Sequence, residues 1–263
     1  MSATGRPERE AIPANAALRT VGLSKSFGAF RANSDVSLSF AVGARHALIG
    51  PNGAGKTTFI NLLTGVLKPS AGEVYLGDTK VSALPQHARV KLGMTRTFQI
   101  NTLFPGLTAL ESVVLACCER SGRGGVWWRP ALAERAAIDE ASEILARLKL
   151  DSDAQIVTRE LPYGKQRLLE IALALATRPK VLLLDEPAAG IPSAESAELF
   201  AVIAGLPREV TIVFIEHDMD LVFKFAERIT VMVAGAVLVE GTPDEIAVDR
   251  RVREVYLGEA AHG

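Results

Sequence analysis

Two groups of residues in this chain have the types and spacing to handle a phosphate ester. The first, Gly50-Pro51-Asn52-Gly53-Ala54-Gly55-Lys56-Thr57-Thr58, fits the G-x-x-x-x-G-K-[ST] pattern of a phosphate loop. Its glycines let the backbone curl so that successive N–H groups face phosphate oxygens, and a helix starting near Lys56 adds the positive end of its dipole. Lys56 then reaches the β- and γ-phosphates, and Thr57 offers a hydroxyl to Mg2+. The second group is Asp185-Glu186, which closes the apolar run Val181-Leu182-Leu183-Leu184. Ligands of open α/β sheets sit at the carboxyl ends of strands, so Asp185 can hold the hydration shell of Mg2+ while Glu186 addresses a water. As general base, or as the group orienting that water, Glu186 would contribute on the order of 10²- to 10⁴-fold to hydrolysis. An acidic pair at a strand end is otherwise a plain helix cap, a reading that leaves the phosphate loop unused.

The elements that must position these residues are legible from periodicity. His46-Ala47-Leu48-Ile49 reads as the strand entering the loop and Thr58-Phe59-Ile60-Asn61-Leu62-Leu63 as the helix leaving it. Val181–Leu184 lacks alternation, as a strand buried on both faces of a parallel sheet does. Thr211–Ile215 reads the same way and ends at Glu216 and His217, followed by Ile229–Val233 and Ala236–Val239 hinged at Gly235. Arg19–Leu23 and Val36–Phe40 nearly alternate and, joined by Glu73-Val74-Tyr75-Leu76, predict an antiparallel layer beside the nucleotide. Phe27 lies in a Ser26-Phe27-Gly28 turn, either stacking on a base or packing as an ordinary core aromatic. Ile138, Ala141, Ile144, Leu145 and Leu148 share one helical face and begin a helical subdomain over about 101–179, whose last helix spans Gly164 to Ala176. Thr242-Pro243-Asp244-Glu245 is a capping box with proline at the first helical position.

With these residues in order, the chain resembles an ATP-binding cassette ATPase, the nucleotide-hydrolysing subunit of a membrane transporter. Phe27 lies where that family places an adenine-stacking aromatic, and Gly50 to Thr58 is its phosphate loop. Gln99, in Arg96-Thr97-Phe98-Gln99, matches a glutamine that senses Mg2+ and faces the membrane subunit. Leu161 to Gln166 resembles the signature segment, Asp185-Glu186 the acidic pair, and His217, in Ile215-Glu216-His217-Asp218, the switch histidine that contacts the γ-phosphate. The resemblance covers about Leu18 to Gly258. It implies an α/β fold: a phosphate-loop core with a mostly parallel sheet, an antiparallel β-subdomain and a helical signature subdomain, in one domain over 18–258 with tails at 1–17 and 259–263. It also implies ATP and Mg2+ as ligands, two integral membrane permease subunits, a second cassette of the same or a homologous chain, and an extracytoplasmic solute-binding protein acting indirectly. Two cassettes would share two ATP molecules, each site completed by Pro162, Tyr163, Gly164 and Lys165 of the opposite subunit. The wording of Arg96–Gln99, Leu103-Phe104, Leu107–Glu111, Asp185–Gly190, Glu216–Met219 and Val255–Glu259 is similar to the longer ATPase subunit of branched-chain amino acid importers, as is the extended segment between Cys118 and Leu148.

The chain departs from the family pattern in two places, the signature and the segment after Gly190. Pro162 replaces a serine whose hydroxyl contacts the γ-phosphate across the dimer, and it offers neither hydroxyl nor N–H, although proline suits the first turn of a helix. Lys165 stands where glutamine is common, and either places a compensating charge near the partner's ATP or points into solvent. Pro192 follows Ile191 where the family usually has aspartate or asparagine.

Composition is consistent with this reading. The 263 residues, 48% hydrophobic, suffice for one large core with a smaller satellite. A net charge of −1 gives no reason to invoke nucleic acid or an anionic surface. Cys117 and Cys118 are adjacent within an apolar stretch, without zinc spacing or easy disulfide geometry, and read as buried thiols in a reducing compartment. His46, His87 and His262 show no ligand spacing. No apolar run has the length to span a bilayer and the first residues lack a signal pattern, so the expected location is the cytoplasmic face of the membrane, held there by the permeases. Met1 to Ala17 is expected as a mobile tail. Phe104, Pro105, Trp127 and Trp128 are candidates for docking the membrane subunit, or pack between helices. Other classes that share the phosphate loop are a metabolite kinase, which has no use for Leu161–Gln166, and a soluble cassette acting on ribosomes or DNA, which usually carries two cassettes or a coiled-coil insertion. A regulatory, weakly hydrolysing cassette of a heteromeric complex is a further alternative.

Overall fold

The structure, a computed structural model, describes residues 15–97, 103–122 and 135–260, with backbone alone for 257–260. The chain opens with β1 (Ala16–Phe27), β2 (Phe30–Val36), β3 (Ser39–Ala41) and β4 (Arg45–Ile49), then α1 (Lys56–Thr64), β5 (Ala71–Leu76), β6 (Thr79–Lys80), α2 (Gln86–Lys91) and β7 (Met94–Arg96). Three helices follow, α3 (Ala109–Arg120), α4 (Arg135–Arg147) and α5 (Tyr163–Ala176). The remainder comprises β8 (Val181–Asp185), α6 (Ser193–Ala204), β9 (Thr211–Ile215), α7 (Met219–Phe225), β10 (Arg228–Val233), β11 (Ala236–Gly241), α8 (Pro243–Val248) and α9 (Arg250–Ala260), with strands and helices alternating from β8 to β10 and then a strand and two helices. One sheet has the order β11-β10-β4-β9-β8-β7, parallel except for β11, and the other has the order β2-β1-β5-β6 with β3 paired to β1, antiparallel throughout.

The unbroken apolar runs are explained by what lies on each side of the six-stranded sheet. Along β8 and β9, Leu182, Leu184, Ile212 and Phe214 face the core shared with α3 to α7. Their alternates Val181, Leu183, Val213 and Ile215 face a second core with α1 and the antiparallel layer, where Leu18, Phe40, Phe59 and Leu63 are fully buried. A period-two split into two dry faces requires apolar residues at every position. On α4, Ala141, Ile144 and Leu145 are buried, with Ile138 at the edge, as their spacing requires.

The structure differs from the sequence reading in three local respects. Val36–Phe40 is not one strand: β2 ends at Val36 and β3 begins at Ser39. The Thr20 hydroxyl spans the break, donating to the Val36 carbonyl at 2.9 Å and accepting from Leu38 N at 3.0 Å, so a side chain supplies what the ladder omits. β1 runs through Phe27, which pairs with Phe30, so the turn falls at Gly28-Ala29. β1 also starts at Ala16, inside the expected tail, and the Ala17 carbonyl accepts from Gly77 N at 2.9 Å. The capping box at Thr242 and Glu245 forms in both directions.

Two buried polar side chains fix the frame. Arg89, 1% exposed, donates to the carbonyls of Leu62 (2.7 Å), Leu63, Ser82 (3.0 Å) and Leu84 (3.0 Å). It thereby satisfies the orphan carbonyls at the end of α1, a position where a cation also meets the negative end of the helix dipole. His46, 1% exposed, is bonded through Nε2 to Thr230 Oγ1 at 2.7 Å and sits edge-on to Phe40. Burial lowers its pKa from 6.5 to about 3. Between those values the unfolded chain binds a proton that the folded chain refuses, so this contribution to stability is complete above pH 6.5 and is lost as pH falls toward 3. Chemical denaturation should show the native chain losing about 1 kcal/mol through this group between pH 7 and 5.5, and His46→Gln should remove that increment of the pH slope.

Candidate nucleotide site

Parallel pairing brings the carboxyl ends of β4, β7, β8 and β9 to one edge of the sheet, with Leu48 and Asp185 both in register with Ile215 and Arg96 with Leu183. The loop after β4 starts at Gly50, whose φ is 149° and where an added Cβ would lie 2.1 Å from the Met232 carbonyl oxygen, so the backbone leaves the sheet by a path closed to other residues. At Gly53, φ 76°, an added Cβ meets nothing within 4 Å, so this part of the loop is open. α1 begins at Lys56 with no side-chain cap and no acidic residue in its first turn, which leaves its first N–H groups to an anion. Lys56 is buried, and its Nζ donates to the carbonyls of Gly50 (2.6 Å) and Pro51 (3.0 Å) within its own loop. Thr57 is exposed at the helix start, beside Thr58.

Opposite the loop, Asp185 is ion-paired to Arg96, whose second nitrogen donates to Asn61 Oδ1 at 2.8 Å. Glu186 is held in the left-handed region, φ 49°, by its N–H on the Ile215 carbonyl at 3.0 Å, a conformation costly for a residue with a side chain. His217 Nε2 lies 2.8 Å from Glu186 Oε1, and both side chains are about half exposed, 48% and 44%. Glu216 is buried and accepts from Ala188 N (2.9 Å) and His217 N (3.2 Å); burial raises its pKa despite these two donors.

The signature residues lie at the start of α5. Pro162 is the cap preceding the helix, extended at φ −53° and ψ 150°, instead of part of its first turn; its carbonyl accepts from Gln166 N at 3.0 Å. The Tyr163 hydroxyl donates to the Ala189 carbonyl at 3.2 Å and accepts from Arg167 at 3.0 Å. Gly164 faces Glu195, where an added Cβ would be 3.1 Å from a carboxylate oxygen. Lys165 does not point freely into solvent, since its Nζ is bound by Asp153 at 2.6 and 2.8 Å within the same chain. Phe27 is 48% exposed at the end of β1, with Lys25 Nζ 5.0 Å from its ring centre. Gln99, Trp127 and Trp128 lie outside the described residues. Phe104 is 52% exposed, and Cys117 and Cys118 are buried thiols on α3.

Sequence reasoning gave no role to Asn61, Arg96, Asp153 or Glu216. Asn61 had a readable signal, one helical turn after Thr57 and hence on the same face. The others depend on approaches between segments distant in sequence.

A glycine cradle, a lysine, a helix start and a strand-end carboxylate pair on one sheet edge define a phosphate-loop nucleoside triphosphatase. The ABC transporter family model matches residues 33–189, and the model described as a branched-chain amino acid ATP-binding cassette transporter matches residues 236–262. The high-affinity branched-chain amino acid transport ATP-binding protein BraF of Pseudomonas aeruginosa is 40% identical over 250 residues, 92% of this chain and 98% of that protein. Among solved structures, the ADP conformation of MJ1267, an ATP-binding cassette of an ABC transporter, superposes with a TM-score of 0.82 at 32% identity, over 92% of this chain and 99% of that one. The dimeric bacterial ABC transporter cassette MJ0796 gives 0.71 at 27% identity, over 86% and 98%. This chain belongs to the ABC transporter family, as an ATP-binding subunit with ATPase activity. Among the described residues, no helix is long and apolar enough to cross a membrane.

Within α5, Glu170 is paired to Arg167 at 3.0 Å yet keeps one buried oxygen without a partner. Burial outweighs the arginine and pushes its pKa up from 4.5 to about 7. The charged form is therefore penalised in the folded chain above pH 7, and the penalty fades as pH falls toward 4.5. Glu170→Gln should accordingly stabilise the chain by on the order of 1–3 kcal/mol at pH 8 and by little near pH 5, measured by denaturant melts at the two pH values.

Proposed function

We propose that this chain energises the uptake of branched-chain amino acids, or closely related small solutes, as the hydrolytic cassette of an importer whose path lies in two separate integral membrane subunits. The 236–262 match and the transport role named for the Pseudomonas relative support the solute class. In this reading residues 18–258 work as one unit on the cytoplasmic face of the membrane. A second cassette supplies the other half of each site, and an extracytoplasmic binding protein delivers solute to the permeases.

The contact of His217 Nε2 with Glu186 Oε1 at 2.8 Å carries the hydrolytic reading. It occupies one carboxylate oxygen and leaves Oε2 to take the proton of an attacking water. The backbone N–H groups of Gly50 to Thr58 bind the phosphates, with Lys56 swinging from its own loop carbonyls to the β- and γ-oxygens. Phe27 stacks on adenine from the end of β1. The oxygen donors Thr57 and Asp185, with Gln99, suit a cation shared with phosphates. When bound there, Mg2+ neutralises charge on the β- and γ-phosphates. Pro162, Tyr163, Gly164 and Lys165 face the nucleotide of the partner cassette.

A specific observation favours a second reading, the weakly hydrolysing regulatory cassette: Pro162 has no hydroxyl and Lys165 is held by Asp153. Lys56→Ala should weaken ATP binding by roughly tenfold or more. Glu186→Gln should bind ATP normally while kcat falls by about 10²- to 10⁴-fold. Normal turnover by an active-site-titrated Glu186→Gln variant would overturn the role of Glu186. Light scattering on that variant should show a dimer that forms only with Mg-ATP; a monomer that binds ATP would favour the regulatory reading and an obligate heteromer.

A further inference from the structure

We propose that Arg96 is an internal counter-ion of the nucleotide site, a positioning residue that neutralises Asp185 until the metal of Mg-ATP displaces it, and that it thereby sets how strongly nucleotide binding depends on metal. The proposal rests on the reading above, in which Asp185 serves the Mg2+ of the bound nucleotide.

Three observations support it. First, the placement is built into the sheet. β7 ends at Arg96, in register with Leu183, and Thr97 N donates to the Leu183 carbonyl at 3.0 Å, so Arg96 emerges beside Asp185 at the edge where the phosphate loop opens. Second, the guanidinium is shared between two elements of the site: one nitrogen pairs with Asp185 Oδ2, and the other donates to Asn61 Oδ1 at 2.8 Å. Asn61 stands one turn beyond Thr57 on α1, so the guanidinium bridges the helix that offers a hydroxyl to the metal and the strand that offers the carboxylate. Third, the ion pair is accessible. Both side chains retain 20% exposure, so Asp185 can change partners without unfolding of the core.

The electrostatic consequence follows from the charges. ATP without metal brings several negative charges toward Asp185, and Arg96 lowers that repulsion. ATP with Mg2+ brings a cation that competes with Arg96 for the same carboxylate. Removing the guanidinium should therefore weaken metal-free binding and strengthen metal-loaded binding. Both effects raise the ratio of ATP affinity in Mg2+ to affinity in EDTA. A purely structural arginine would change the two affinities together and leave the ratio where it was.

The test is equilibrium binding of ATP to the full chain carrying Glu186→Gln, in Mg2+ and in EDTA, with and without Arg96→Met. The expected result is a ratio raised about fivefold or more by Arg96→Met. Asn61→Ala, which leaves the charge in place but releases its second anchor, should raise it by a smaller factor and keeps the measurement decisive if Arg96→Met fails to fold. An unchanged ratio in the folded variants would overturn the proposal. Asp185→Asn is measured beside them and should lower the ratio. If it does so while Arg96→Met and Asn61→Ala leave the ratio unchanged, the counter-ion role fails alone. If Asp185→Asn leaves the ratio intact, the metal role of Asp185 fails and takes the proposal with it.

Discussion

The site depends on the parallel hydrogen-bonded register of β7, β8, β9 and β4. Because these strands run the same way and end together, Arg96, Asp185, Glu216 and the phosphate loop reach one edge without any long loop carrying them there. Register in a sheet buried on both faces is strongly specified, since a slip by one residue would exchange the two sets of apolar side chains. Here each set has a different partner: helices α3 to α7 on one side, and α1 with the antiparallel layer on the other. The chemistry is thus positioned by the packing of two cores that take no part in it.

Charge is distributed with similar economy. Arg89 and Arg45 are buried cations answered by main-chain carbonyls; Arg45 donates to Gly43 (3.2 Å), Val210 (2.7 Å), Leu206 and Pro207 (3.3 Å). Each ties the end of a helix or strand that leads to or from the sheet. Carbonyl dipoles answer all three nitrogens of Arg89 and the two terminal nitrogens of Arg45, whose buried Nε has no hydrogen-bond partner among the described residues. Glu216 is the counterpart, a buried carboxylate answered by the N–H groups of Ala188 and His217. These contacts fix the frame, while the exposed groups Glu186 and His217 meet only at its rim.

The fold was legible wherever periodicity reports burial. Val181–Leu184 and Thr211–Ile215 read as buried strands because both of their faces are in fact dry, and the α4 face read correctly because only one side of it is. The family was legible because a phosphate loop, a signature and an acidic pair occur in order, and the matches bear that out. What stayed hidden was side-chain bonding between segments far apart in the chain. Nothing in Val36–Phe40 reveals that Thr20 spans a break there, and nothing at Lys165 reveals Asp153, because both partners come from other segments. The pairing of Arg96 with Asp185 is of the same kind, created by the adjacency of β7 and β8, which are separated by the whole helical region.

That helical region is attached to the chemistry through the loop that follows β8. Glu186 is fixed by its N–H on the Ile215 carbonyl, Ala188 by Glu216, and Ala189 by the Tyr163 hydroxyl at the start of α5. The first two anchors belong to β9 and its end, so they move with the sheet. The third belongs to the signature helix, and Tyr163 is itself held by Arg167, one turn further along α5. A rotation of α5 relative to the sheet therefore pulls on the Ala189 carbonyl, three residues from a glutamate already in a strained conformation. Two anchors thus belong to the sheet and one to the start of α5. The loop couples Glu186, the proposed water-activating residue, to the helix that begins at Tyr163.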